Sequence, residues 1–120
     1  MAIFIAIGAL MGAAGVMLAA AGAHAQSGVR LDSAGYLLIL HAAAVLAGTV
    51  ALDRGLVWRP LGIVALASLI LGAVLFAADL ALRAFAGHRL FPMAAPAGGA
   101  VLIVAWIVLA IAAVAMVPRT

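Results

Sequence analysis

Polar and charged residues gather in a few short segments of this chain, and four long, almost uniformly apolar stretches run between them. The stretches cover about residues 2–23, 34–52, 61–84 and 97–117. Each reaches or approaches the ~20 residues that a helix needs to cross ~30 Å of hydrocarbon. Turn chemistry falls in the gaps. Gln26-Ser27-Gly28 reads as a turn, and Asp32 or Ser33 as the N-cap of the second helix. Asp53-Arg54-Gly55 ends that helix, and Pro60 suits the first turn of the third. Pro92 and Pro96 with Gly98-Gly99 mark the approach to the fourth. Loops this short force neighbouring helices to run antiparallel. The expected fold is all-α: a single integral-membrane domain over residues 1–120, with four transmembrane helices in an up-down-up-down bundle.

Composition strengthens this reading. The chain is 71% hydrophobic and 8% charged, far from the soluble norm. A soluble domain of 120 residues could not hide so much apolar surface, so lipid must cover it. The formal charge is +3, with no lysine and no basic run, only arginines scattered beside span ends. That pattern fits a membrane surface and gives no footprint for nucleic acid. The absence of cysteine removes disulfides, thiolate metal sites and cysteine catalysis. Ala23-His24-Ala25 resembles a signal-peptidase site. No Lys or Arg precedes the apolar run, however, and the run is longer than a signal core. It reads as a true first span, with cleavage as the alternative.

Four spans put both ends of the chain on one membrane face, together with the 53–60 loop. That face, side A, holds Arg54, Arg59 and Arg119. Side B holds the 25–33 and 84–96 loops with Arg30 and Arg89, and Arg83 at a span end. The arginine bias places side A, and so both termini, in the cytoplasm. The bias is slight, and dual insertion is the alternative.

The first span carries Gly8, Gly12, Gly15, Ala19 and Gly22 at spacings of four, three, four and three. They form one seam of small residues, which lets helix backbones approach closely in lipid. The seam reads as packing. In the third span Ser68, Gly72, Asp79 and Arg83 share a face that should look into the bundle. Asp79 and Arg83 form an i, i+4 pair. In the second span His41 shares a face with Ala44 and Gly48. Chain alternation brings His24, His41, Asp79 and Arg83 toward side B. A charge in hydrocarbon costs at least ~2.5–3.5 kcal/mol on insertion scales, so partners are expected. The expected network joins His41 to Asp79 or His24, and Asp79 to Arg83. It is either a structural polar lock or a proton- or ligand-handling site.

Other chemistries find little support. Two histidines could hold haem, but His24 sits at a span end and His88 in a loop. His24, His41 and Asp79 are zinc-ligand types without a compact spacing motif. Ser68 lies about three turns from Asp79, too far for a nucleophile–base pair. There is no glycine-rich phosphate loop and no lysine for a Schiff base. No catalytic residue, cofactor or metal is therefore assigned. Trp58 and Tyr36 read as interfacial anchors, and Trp106 as packed or lipid-facing.

Taken together, Gly22-Ala23-His24, His41, Leu75-Phe76 and Ala95-Pro96-Ala97-Gly98-Gly99 leading to Trp106 resemble the "domain of unknown function 423" family. These are small bacterial inner-membrane proteins, related to human transmembrane protein 256. The resemblance implies four transmembrane helices and a plasma-membrane location, and it carries no activity, substrate or cofactor. His24, His41, Pro96, Gly98 and Gly99 match recurring family positions. Asp79 stands where a small polar residue is common, and Ala81 follows where a tyrosine is common nearby, so Asp79 chemistry need not be general. The reading is a non-enzymatic structural or accessory membrane protein. Its partners would be lipids and either a second copy or another membrane protein. The alternatives are a small proton-linked carrier using His41 and Asp79, and a lipid- or metal-binding membrane protein.

Overall fold

The computed structural model describes residues 1–24 and 28–119. Gln26 and Ser27 of the expected first turn, and Ala25 of the cleavage-like motif, lie outside the described residues. The described residues form four helices: α1 (Ala2–His24), α2 (Leu31–Asp53), α3 (Arg59–Phe85) and α4 (Ala94–Val114). All four are long and apolar enough to cross a membrane, and the protein is a multi-pass membrane protein.

Two helix starts differ from the sequence reading. α2 begins at Leu31 with Arg30 at its N-cap and no side-chain cap. Asp32 lies inside the first turn, where a carboxylate favours the positive end of the helix. Its Oδ1 accepts the Ser33 N–H at 2.9 Å and faces Arg30 Nε at 3.3 Å. α4 starts at Ala94, three residues early, and Pro96 sits within its first turn. The first four helical N–H groups have no intrahelical partner, so the missing proline donor costs nothing there. Met93, in a left-handed conformation with φ 67°, turns the chain into the helix.

The close of α2 follows the expected chemistry. Gly55 adopts φ +72°, its N–H donates to Leu52 O, and the Leu56 N–H donates to Ala51 O. This is a Schellman motif, and the left-handed position suits glycine. The loop then buries Val57 and enters α3 through Pro60.

The helices pack in chain order. α1 lies on α2, α2 on α3 and α3 on α4, with a minor α1–α3 contact. Among the described residues the α1 and α4 backbones do not meet. Gly22 adjoins Asp32, Gly15 adjoins Ile39, and Gly8 adjoins Val45 and Leu46, so numbering rises along α2 as it falls along α1. The same inversion relates Gly48 to Leu66 and Gly62 to Leu52, and then Gly72 to Gly98 and Trp58 to Ala112. The core sits on the two central helices, where Val45, Leu66 and Leu69 are fully buried. The outer helices leave large apolar side chains exposed, among them Leu10 and Met17 on α1 and Ile103 and Ile107 on α4. In water such surface would aggregate; in a bilayer it meets acyl chains.

Candidate functional site: a glycine seam and two polar pins

The seam on α1 faces α2. A Cβ at Gly15 would lie 2.7 Å from Ile39 Cγ1 and 2.9 Å from Gly35 O. One at Gly35 would lie 2.7 Å from Gly15 O and would also strike the Ala19 backbone. At Gly22 it would lie 2.8 Å from Asp32 Cα. Gly8 and Gly12 have more room, with nearest neighbours at 3.2 and 3.7 Å. The closest approach is therefore confined to Gly15, Ala19 and Gly22. Gly35, not singled out from sequence, is the matching notch on α2.

The polar residues form two separate pins. His41 is buried in α2, and its Nδ1 lies 2.8 Å from Leu37 O. Its Nε2 accepts the Trp106 indole N–H at 3.1 Å, with the rings edge to face. A carbonyl only accepts and an indole N–H only donates. The two partners together select the neutral Nδ1–H tautomer, with both ring nitrogens satisfied. Trp106 thus ties α4 to α2 across a gap that the backbones do not bridge.

The second pin is Asp79 on α3, which has no exposed surface. Its Oδ1 accepts the Leu90 N–H at 2.9 Å, and its Oδ2 lies 3.3 Å from Arg83 Nη2. Oδ2 and Arg83 Nε are buried without a hydrogen-bond partner, so the ion pair is a charge contact more than a bonded fork. The carboxylate holds the α3–α4 loop onto the end of α3.

The expected four-residue network is corrected by this geometry. Asp79 and Arg83 meet, but among the described residues no hydrogen bond or ion pair joins His41 to Asp79. His24 is exposed at the end of α1, beside the Asp32 level of α2. That level is nine residues, or about 14 Å of helix, from His41. Spacing along one helix placed Asp79 and Arg83 correctly. It could not show that the α4 indole would reach His41 first. Thr49 is also buried and was not singled out; its hydroxyl is satisfied by Val45 O at 2.7 Å.

Among the described residues no group of three His, Cys, Asp or Glu side chains could hold a metal ion. A cavity of about 360 Å³ opens between α1 and α3 over Leu38, lined by Leu10, Met11 and Ala14 on one side and Val74, Ala77 and Ala81 on the other. The lining is apolar and includes neither His41 nor Asp79.

The sequence model of one family matches residues 18–99, and that family is described as "Protein of unknown function (DUF423)". No curated protein and no solved structure matches the chain.

Proposed function

The chain belongs to the DUF423 family, and from that premise we propose that it is a non-enzymatic membrane protein with a structural or accessory role. Its setting would be the bacterial plasma membrane, with both termini cytoplasmic. One observation supports the role above others: the buried ionisable groups are engaged by the protein itself. His41 has both nitrogens occupied, and Asp79 holds a loop and an arginine. A proton-linked carrier needs such groups to change partners along a path. Here they belong to separate pins, and the apolar cavity reaches neither. The accessory role implies a second copy or another membrane protein as partner.

Reconstituted vesicles with a trapped pH-sensitive dye test the reading. Wild type, His41→Ala and Asp79→Asn should show the same proton leak as empty vesicles, while both variants melt at lower temperature in detergent. A leak that depends on either residue would sink the structural role and revive the carrier. A C-terminal reporter active only in the cytoplasm is expected from the arginine bias. Equal signals from cytoplasmic and periplasmic reporters would replace single topology with dual insertion.

A further inference from the structure

We propose that the α3–α4 loop binds the phosphate of an anionic phospholipid headgroup, with Arg89 as its cation and Phe91, Pro92 and Met93 as its apolar wall. These four residues line a surface cavity of about 350 Å³. Arg89 is exposed, and among the described residues its guanidinium has no acidic partner. The chain has three acidic side chains, and none is available. Asp32 pairs with Arg30 and Asp79 with Arg83, while Asp53 closes α2 at the opposite membrane face. No carboxylate of the described residues offsets Arg89, which leaves its guanidinium open to an anion from outside the protein. Guanidinium matches phosphate geometry through paired N–H donors.

Depth and side-chain character select a lipid as the source. α3 is 27 residues long, about 40 Å at 1.5 Å per residue, and exceeds the ~30 Å hydrocarbon core. Its end and the following loop therefore reach the headgroup layer. Phe85, Leu90, Phe91 and Met93 are all exposed there, at 68%, 45%, 44% and 63%. A cation surrounded by apolar side chains fits the boundary between headgroups and acyl chains. Free phosphate would use the arginine and leave the apolar wall bare.

The loop is also held in place before any ligand arrives. The Leu90 N–H, next to Arg89, is fixed by buried Asp79, and His88 Nδ1 lies 3.0 Å from Arg89 O. Both bonds fall on the one peptide that joins Arg89 to Leu90, and holding that peptide lowers the ordering cost of binding.

Native mass spectrometry of the full chain in detergent tests the proposal, with dioleoylphosphatidylglycerol, dioleoylphosphatidylcholine and inorganic phosphate as probes. Wild type should retain the glycerol lipid about five-fold over the choline lipid, the equivalent of ~1 kcal/mol for one arginine at an anionic surface. Arg89→Gln should lose that preference, Arg89→Lys should keep part of it, and Arg54→Gln, at the opposite face, should keep all of it. Circular dichroism should match in all four proteins, since both arginines are exposed. Equal retention of the two lipids by wild type would overturn the site. So would an unchanged preference in Arg89→Gln, or an equal loss in Arg54→Gln. Displacement of the lipid by inorganic phosphate would make it a free-anion site and overturn the lipid assignment.

Discussion

The α1–α2 pair and the α3–α4 pair solve the same problem in different ways. Both join apolar helices in a solvent that gives no hydrophobic reward for doing so. α1 meets α2 along a seam of small residues, closest where Gly15 and Gly35 face each other. α3 runs along α4 over a comparable length and comes closest where a Cβ on Gly72 would strike Gly98 O and a Cβ on Gly98 would strike Gly72 O. Its two ends are then bonded: the Trp58 N–H donates to Ala112 O at 2.8 Å, and Asp79 holds Leu90 beside the other end. The Trp106–His41 bond adds a strut back to α2. A seam gains from dispersion over its length. A pin fixes register at one point, and its loss strands a polar atom in a medium without water. The first interface should weaken gradually with added bulk, and the second should fail at single atoms.

The largest expected effect is at the buried carboxylate. Asp79→Leu removes the acceptor of the Leu90 N–H and leaves Arg83 without a counter-charge. Breaking a buried ion pair from one side costs about 3–5 kcal/mol, toward the lower end here because Arg83 is 27% exposed. Asp79→Asn keeps an oxygen for Leu90 and should lose less. Adding Arg83→Gln to Asp79→Asn should recover part of that loss. Thermal melts in detergent give the order. If Asp79→Asn and Asp79→Leu melt together, the loop hydrogen bond contributes nothing and the pin is only a charge pair.

Next comes the seam. Gly15→Leu places side-chain atoms where Ile39 and the Gly35 carbonyl already sit. Overpacking of this kind costs about 1–3 kcal/mol, and more where backbone must move, as here. The loss should appear as a lower melting temperature and weaker α1–α2 cross-linking. A melt unchanged from wild type would mean that α1 is free to shift and that the seam does not set the interface.

These two predictions also mark what was legible in the sequence. Span number follows from the length of the apolar stretches, and the seam and the Asp79–Arg83 pair from spacings within one helix, so sequence shows them directly. The early start of α4 is hidden in the sequence because Pro96 and Gly98 read as breakers. A proline in a first turn gives up no bond, and Gly98 is there to let α4 cross α3. The partners of His41 and Asp79 are hidden for a different reason. One is an indole 65 residues away, and the other is a backbone N–H in a loop. Neither leaves a mark on local spacing. Membership of a family without an assigned activity adds no role for these positions.

The strut predicts a smaller effect. Trp106→Phe keeps most of the ring but leaves His41 Nε2 without its donor. Interhelical hydrogen bonds in membranes average ~0.6 kcal/mol and reach ~1.7. A double-mutant cycle of Trp106→Phe and His41→Ala should give a coupling in that range. Additive losses would show that the two side chains stabilise the protein independently, and α4 would then rest on α3 alone.

The smallest effect sharpens the seam itself. Gly12 is part of the same stripe, yet a Cβ there would meet only Ala42 Cβ, at the ordinary contact distance of 3.7 Å. Gly12→Ala therefore adds a methyl to the interface without displacing anything. It also removes backbone freedom from the unfolded chain, which in soluble proteins stabilises by about 0.4–1 kcal/mol. Gly15→Ala, by the same change, would put its Cβ 2.7 Å from Ile39 Cγ1 and 2.9 Å from a carbonyl oxygen, so it should destabilise. The two alanine variants differ only in which notch they fill. Opposite shifts in melting temperature are the expected result, with Gly12→Ala at or slightly above wild type. Equal losses would mean that close approach runs evenly along α1 and that the tight segment around Gly35 has no special part in holding the helices.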